Sequence, residues 1–226
     1  MTRVLFAASA AMAIAAVLVV RAAPVSILDE PRHKRVLYTA HVRLFEITIP
    51  PGDTTLEHAH DYDIATVALE TSASRARVGT AAWSEPRERA AGSLNLTEYT
   101  GKPSAHQIQT AAQAPYRLVA VENVRDGGWT SPPALSEPGT TLIQESRAFS
   151  IYDVRLDSQT PETTHTHAVP TVAVLVSGEF AYQGGGGSEP FAVRQAGRWI
   201  YALPGGEHTM RVADGAQARI IEFEAR

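Results

Sequence analysis

Six of the eight histidines in this chain fall into one repeated pattern. His58-Ala59-His60 is followed some forty residues later by His106, and His165-Thr166-His167 by His208 at a similar distance. In an extended strand, side chains at i and i+2 leave the same face, so each His-x-His sets two imidazoles side by side. If that face lines the inside of a barrel, a third histidine from a distant strand closes a cluster. Three neutral imidazoles suit a divalent transition metal (Fe, Zn, Mn, Ni or Cu) rather than Ca or Mg, which prefer oxygen. They also leave coordination positions open for water, oxygen or substrate. The competing reading is a set of packed, hydrogen-bonded histidines with no metal role.

The elements that must position these residues read as strands. Short β-prone runs recur at Val42–Ile49, Ile64–Leu69, Arg117–Val121, Ser150–Leu156, Val172–Val176, Phe191–Arg194, Arg198–Leu203 and Ala218–Phe223. Turn-formers separate them, among them Pro50-Pro51-Gly52-Asp53, Gly184 to Gly187 and Pro204-Gly205-Gly206. This spacing and punctuation indicate an all-β sandwich or barrel. Aligning His58 with His165, an offset of 107, also places Glu46-Ile47 on Asp153-Val154, His60 on His167 and Val67 on Val174. With the offset reduced to 102, His106 falls on His208, and Arg117 to Glu122 on Arg219 to Glu224. Three histidines matching in order point to a tandem duplication. The expected organisation is a first domain over 36–125, a linker over 126–140 rich in Pro and Gly, and a second domain over 141–226.

Ahead of the repeat, residues 1–23 read as a leader: Arg3, an apolar and small run from Val4 to Val20, then Arg21-Ala22-Ala23-Pro24. A cleaved signal implies a periplasmic or secreted protein. An uncleaved segment would make it a membrane anchor, the chain's only expected membrane contact. The 226 residues, 44% hydrophobic and 19% charged, are enough for a folded core. A formal charge of −4, with Lys34 and Lys102 as the only lysines, argues against a nucleic-acid partner. With no cysteine, disulfides, thiolate nucleophiles and every Cys-containing metal site are excluded.

The second half carries His165-Thr166-His167, Val174-Leu175-Val176-Ser177-Gly178-Glu179 and Pro204-Gly205-Gly206-Glu207-His208; the first carries Pro51-Gly52, His58-Ala59-His60 and Pro103-Ser104-Ala105-His106. With these motifs the chain resembles the cupin superfamily, specifically a bicupin, over about residues 36–226. The resemblance implies two tandem jelly-roll β-barrels and metal sites at His165, His167 and His208 (the favoured, second-half set) and at His58, His60 and His106. The family's glutamate ligand would fall near Ile64 or Ala65 and near Thr171 or Val172, so both halves lack it. Asp61 and Asp63 are poor replacements, because alternation turns them away from His60. The resemblance thus implies three-His sites, similar to those of cupin dioxygenases that use Fe(II) and O₂.

Two functions are therefore expected to compete. One is a cell-envelope, metal-dependent oxidoreductase, dioxygenase-like, acting on a small organic anion. The other is a non-catalytic cupin that binds a metal or small ligand, with one or both sites degenerate. A small molecule is the expected partner, and a homo-oligomer is compatible with the sequence. No general base can be named. Gly184 to Gly187 before Ser188 reads as a hairpin loop, since it lacks Gly-Lys-Ser/Thr and a following helix. Ser188 is not in a Gly-x-Ser-x-Gly elbow. His33 and His41, outside the repeat, are expected to face solvent, as is Glu179. Trp83 and Trp199 are expected in core or pocket walls, and Trp129 between domains.

Overall fold

The computed structural model describes residues 22–125 and 131–226; the leader through Arg21 and Trp129 lie outside the described residues. The first half contributes β1 (Val25–Ser26), β2 (His33–Tyr38), β3 (Val42–Ile49), β4 (His58–His60), β5 (Asp63–Ala68), β6 (Ser72–Arg77), β7 (Arg87–Arg89), β8 (Leu94–Thr97), β9 (Ser104–Thr110) and β10 (Tyr116–Asn123). The second contributes β11 (Thr140–Glu145), β12 (Phe149–Asp157), β13 (Thr163–His165), β14 (Thr171–Gly178), β15 (Phe180–Gly184), β16 (Phe191–Val193), β17 (Trp199–Ala202), β18 (His208–Arg211) and β19 (Gln217–Ala225). The described chain is all-β, with one short 3₁₀ turn, Ile27–Asp29, as its only helical element.

Each half is a two-sheet jelly-roll barrel. One sheet runs β2-β3-β10-β5-β8, and its counterpart β11-β12-β19-β14-β17. The other runs β1-β4-β9-β6-β7, and its counterpart β13-β18-β15-β16. Strand for strand the two orders match, with β1 an addition at the edge of β4. The repeated histidines occupy equivalent registers, since His58 pairs with His106 across β4 and β9, and His165 with His208 across β13 and β18.

Side-chain alternation divides the core into three layers. Phe45, Ile47, Ile49, Leu118 and Ala120 point into the first barrel, and Tyr152, Val154, Leu175 and Ile220 into the second. The opposite faces of the same strands meet between the halves, where Val42, Leu44, Val119 and Val121 pack with Phe149, Ile151, Val174, Ile221 and Phe223. The strands β3, β5, β10, β12, β14 and β19 are therefore buried on both faces, which is why they read as near-continuous apolar runs. Polar contacts cross the same seam: Asn123 donates from Nδ2 to the carbonyls of Ala148 (2.8 Å) and Arg226 (3.0 Å).

Strand pairing begins ahead of residue 36, at Val25, where β1 lies parallel to β4. Ile27 is buried in the first barrel. The carboxylate of Glu30, also buried, accepts from the Leu56 amide at 2.7 Å and the Arg32 amide at 3.0 Å. This anchored entry corrects the expectation for His33: it is buried, its ring 4.6 Å from that of His58. His41 is exposed, and Glu179 is partly exposed and paired with Arg194. Trp83 stacks under Arg75 and Arg77, and Trp199 packs at the seam between the halves.

Two candidate metal centres

In the first barrel the short strand β4 presents both of its histidines inward, while Ala59 between them faces the other way. His58 and His60 are buried, and β9 brings in His106. Ring centroids are 5.0 Å apart for His58 and His60, 4.7 Å for His58 and His106, and 4.8 Å for His60 and His106. One ligand atom from each lies within 4.8 Å of the others. Two ligands at about 2.1 Å from one ion span at most about 4.2 Å, so a contraction of a few tenths of an ångström closes the set.

The tautomers suit ligation. His58 Nδ1 is 2.9 Å from the Leu56 carbonyl, which can only accept, so Nδ1 carries the proton and the Nε2 lone pair is left free. That Nε2 is buried without a hydrogen-bond partner, as are both ring nitrogens of His60. Tyr99 stacks on His60, with centroids 4.7 Å apart, and sets its hydroxyl 3.4 Å from His106 Nδ1. Burial, reinforced by neighbouring imidazoles, pushes His60 down to about 2 and His106 to about 4; burial also lowers His58. All three are neutral at physiological pH, the state that binds metal.

This cluster opens into a cavity of about 110 Å³. Ile49, Ile108 and Leu118 form its apolar side; Arg89, Asn95 and Thr97 bring polar groups. Arg89 is half-buried and has no ion-pair partner among the described residues. Among the described residues, no acidic side chain lines this cavity. His33 also lines it, but burial and the nearby imidazoles lower it to about 3 and it is not among the grouped ligand atoms. Asp61 is exposed, and Asp63 is buried against Arg147, so neither supplies a carboxylate here.

The second cluster differs in two ways from its expected form. Strand β13 ends at His165, so His167 lies beyond the regular strand. Its carbonyl instead accepts the Gly205 amide at 2.8 Å, which ties it to the Pro204-Gly205 turn, and its ring still converges. Centroids are 4.3 Å apart for His165 and His208, and 5.1 Å both for His165 and His167 and for His167 and His208. Second, the expected absence of a carboxylate is corrected. Glu222 of β19 joins the three histidines, with all four ligand atoms within 4.8 Å of one another. It comes from β19, remote in sequence from the His-x-His of β13 and from Thr171, where the resemblance places the carboxylate. The signal lies in Ile220-Ile221-Glu222-Phe223-Glu224-Ala225, two glutamates at i and i+2 in an otherwise apolar run.

Around this cluster the charges are buried. Glu224 Oε1 lies 3.0 Å from His167 Nδ1, which turns His167 Nε2 toward Glu222 Oε1, 3.9 Å away. Both atoms are buried without a hydrogen-bond partner. His208 Nδ1 donates to the Gly206 carbonyl at 3.3 Å. Burial lowers His208 to about 4, with His165 and His167 adding to it, and raises Glu222 to about 7. For His167, burial pulls downward, but the Glu224 hydrogen bond and the Glu222 charge outweigh it, and the net shift is upward. In both centres, then, the donor types fit a divalent ion, and His58 Nε2 in the first and His167 Nε2 in the second are buried ring nitrogens with no hydrogen-bond partner.

No family profile matches this chain, and no curated protein matches it significantly in sequence. Solved structures do match in fold. A variant of salicylate 1,2-dioxygenase from Pseudoaminobacter salicylatoxidans, in complex with gentisate, aligns with a TM-score of 0.65 at 13% identity, over 89% of this chain and 76% of that one. Oxalate decarboxylase from Lactobacillus farciminis gives 0.60 at 11%, over 89% and 85%. A cupin 2 conserved barrel domain protein from Leptotrichia buccalis gives 0.57 at 8%, over 85% and 87%.

Proposed function

Starting from a tandem cupin fold with two His-rich groups able to hold metal, we propose that this chain is a metal-dependent oxidoreductase, dioxygenase-like, that acts on a small organic anion in its first barrel. The observation that carries this reading is the cavity over His58, His60 and His106, with Arg89, which has no ion-pair partner among the described residues, in its wall. Three neutral imidazoles leave a divalent ion with its full charge, and Arg89 adds another. A pocket of that charge favours a carboxylate or enolate. The fold likeness to dioxygenases supports the reaction class, since one of those structures holds gentisate, a small aromatic acid.

The bound metal supplies Lewis acidity and open coordination positions. The chain's own residues do the rest. The Leu56 carbonyl fixes the His58 ring through Nδ1. Tyr99, whose phenol is shifted upward by burial and so stays protonated, holds His60 by stacking and sets its hydroxyl 3.4 Å from His106 Nδ1. Ile49, Ile108 and Leu118 exclude bulk water, and Arg89 orients the substrate's anionic group. With no acid in the cavity wall, chemistry that needs a carboxylate base is disfavoured. The apolar run Val4 to Val20 supports placing the protein in the cell envelope, which N-terminal sequencing of the mature chain tests.

The test of function is oxygen uptake by anaerobically Fe(II)-loaded protein offered a panel of small aromatic and aliphatic carboxylates. Turnover that disappears in His60→Ala supports the reading. Stoichiometric metal and tight anion binding with no oxygen uptake would leave the non-catalytic alternative.

A further inference from the structure

A fourth imidazole, outside the ligand set, stands in the wall of the first cavity. His33 opens β2, and the entering chain fixes its place. Its amide donates to the Glu30 carbonyl at 3.0 Å, and the neighbouring Arg32 grips Asp53 at 2.9 Å through both Nε and Nη2. The ring lies 4.6 Å from that of His58 and stands edge-on to Phe45, with centroids 6.4 Å apart and planes at 86°. It is 8% exposed and lines the cavity, yet its nitrogens fall outside the group that converges from His58, His60 and His106. Neither ring nitrogen has a hydrogen-bond partner among the described residues, and Nδ1 is buried.

An imidazole carries a donor and an acceptor out of water, and leaving them unmet is unfavourable. A phenyl ring would fill the same space against Phe45 without that cost, so the polar ring calls for a partner that the protein itself does not supply. The repeat shows where it is confined. Ile47 and Val154 are equivalent, and their cross-strand partners are His33 in the first barrel and Thr140 in the second. Other donors around the cavity are already engaged: the Asn95 amide donates to Thr97 Oγ1 at 3.0 Å, and the Tyr99 hydroxyl lies beside His106. We propose that His33 is an anion-binding residue of the first barrel, its ring N–H donating to a carboxylate oxygen of the ligand held over His58, His60 and His106. This rests on the reading of that cavity as the site of a small organic anion, and adds the residue that orients it. His33 comes from β2 and Arg89 from β7, edge strands of different sheets, so the two donors reach the ligand from separate walls. A hydrogen bond to an ionised acceptor is stronger than one between neutral groups, and two such donors fix direction as well as charge.

The test is a benzoate titration of full-length Co²⁺-loaded protein, following the part of the visible shift that His60→Ala abolishes. His33→Phe should raise the apparent Kd for benzoate by about tenfold, and His33→Gln, whose amide donates, should recover most of that loss. First-centre Co²⁺ affinity, measured by chelator competition, should be the same in the parent and both variants. Metal-free His33→Phe should melt no lower than the metal-free parent, because it no longer buries an unmet polar ring. A benzoate Kd unchanged in His33→Phe would overturn the proposal and leave the function proposed above standing. Loss of Co²⁺ together with benzoate would also overturn it, because His33 would then support the cluster rather than the ligand. A parent with no benzoate response would overturn both.

Discussion

Asp63, in the first barrel, is gripped across the seam by Arg147 of the second: Oδ2 lies 3.1 Å from Nε and Oδ1 3.3 Å from Nη2. The same carboxylate accepts the amides of Tyr99 at 2.7 Å and Thr100 at 2.8 Å. One side chain thus links the β5 strand that follows the first His-x-His, the loop that carries Tyr99, and the other half of the molecule.

This arrangement fixes an acid-dependent contribution to stability. Burial raises the Asp63 carboxyl, but the Arg147 pair and the amide donors outweigh it, so the folded value lies below the ordinary one. The contribution is complete above the unfolded value of about 3.9 and is lost as pH falls through the depressed folded value. Asp63→Asn should cost about 2 kcal/mol at pH 7, less than the ~3–5 kcal/mol of a fully buried pair because Arg147 is partly exposed. Urea unfolding at pH 7 and pH 3 checks this; a gap between variant and parent that does not narrow in acid would contradict it.

Arg89→Gln should leave the metal content of the first centre intact and weaken anion binding. Loss of a charge-assisted contact in a half-buried pocket should raise the apparent Kd or KM for a carboxylate by about tenfold. Isothermal titration with the metal-loaded variant is the check. A loss of metal instead would mean that Arg89 supports the cluster rather than the ligand.

Tyr99 contributes to the first centre in two separable ways. Tyr99→Phe keeps the stack on His60 and removes the hydroxyl beside His106, and should weaken first-centre metal affinity by about tenfold. Tyr99→Leu removes both and should weaken it further. Competition with a chromophoric chelator measures each, and the second centre should be unaffected by either change.

Gly92 sits at the seam with φ of +76°, and a Cβ there would run into the Arg219 guanidinium, which donates to the Gly92 carbonyl at 3.3 Å and to Asp153 at 3.0 Å. Gly92→Ala should destabilise the fold by about 1–3 kcal/mol from backbone strain and a displaced arginine. A thermal melt that matches the parent would show that the seam yields at no cost.

The strands legible in the sequence were mainly those buried twice over. Val42–Ile49, Val172–Val176 and Ala218–Phe223 show apolar residues on both faces because one face fills a barrel and the other fills the seam. The outer strands β6, β7 and β9 read as Ser-Ala-Ser-Arg-Ala-Arg, Arg-Glu-Arg and Ser-Ala-His-Gln-Ile-Gln-Thr, polar enough to pass for loop. The duplication was visible because equivalent histidines hold equivalent registers. His33 was misread because a sequence offset cannot show that Glu30 and Ile27 carry the entering chain into the first barrel. Glu222 was missed because the second-half carboxylate arrives from the last strand, at the position where the first half has Ala120.

The most direct measurement is a titration of Co²⁺-loaded protein with benzoate, a simple carboxylate, following the visible spectrum. An open, cationic first centre predicts a saturable spectral shift that persists in Glu222→Gln, weakens by about tenfold in Arg89→Gln and vanishes in His60→Ala. A spectrum indifferent to the carboxylate, or a shift that survives in His60→Ala and disappears in Glu222→Gln, would contradict the account.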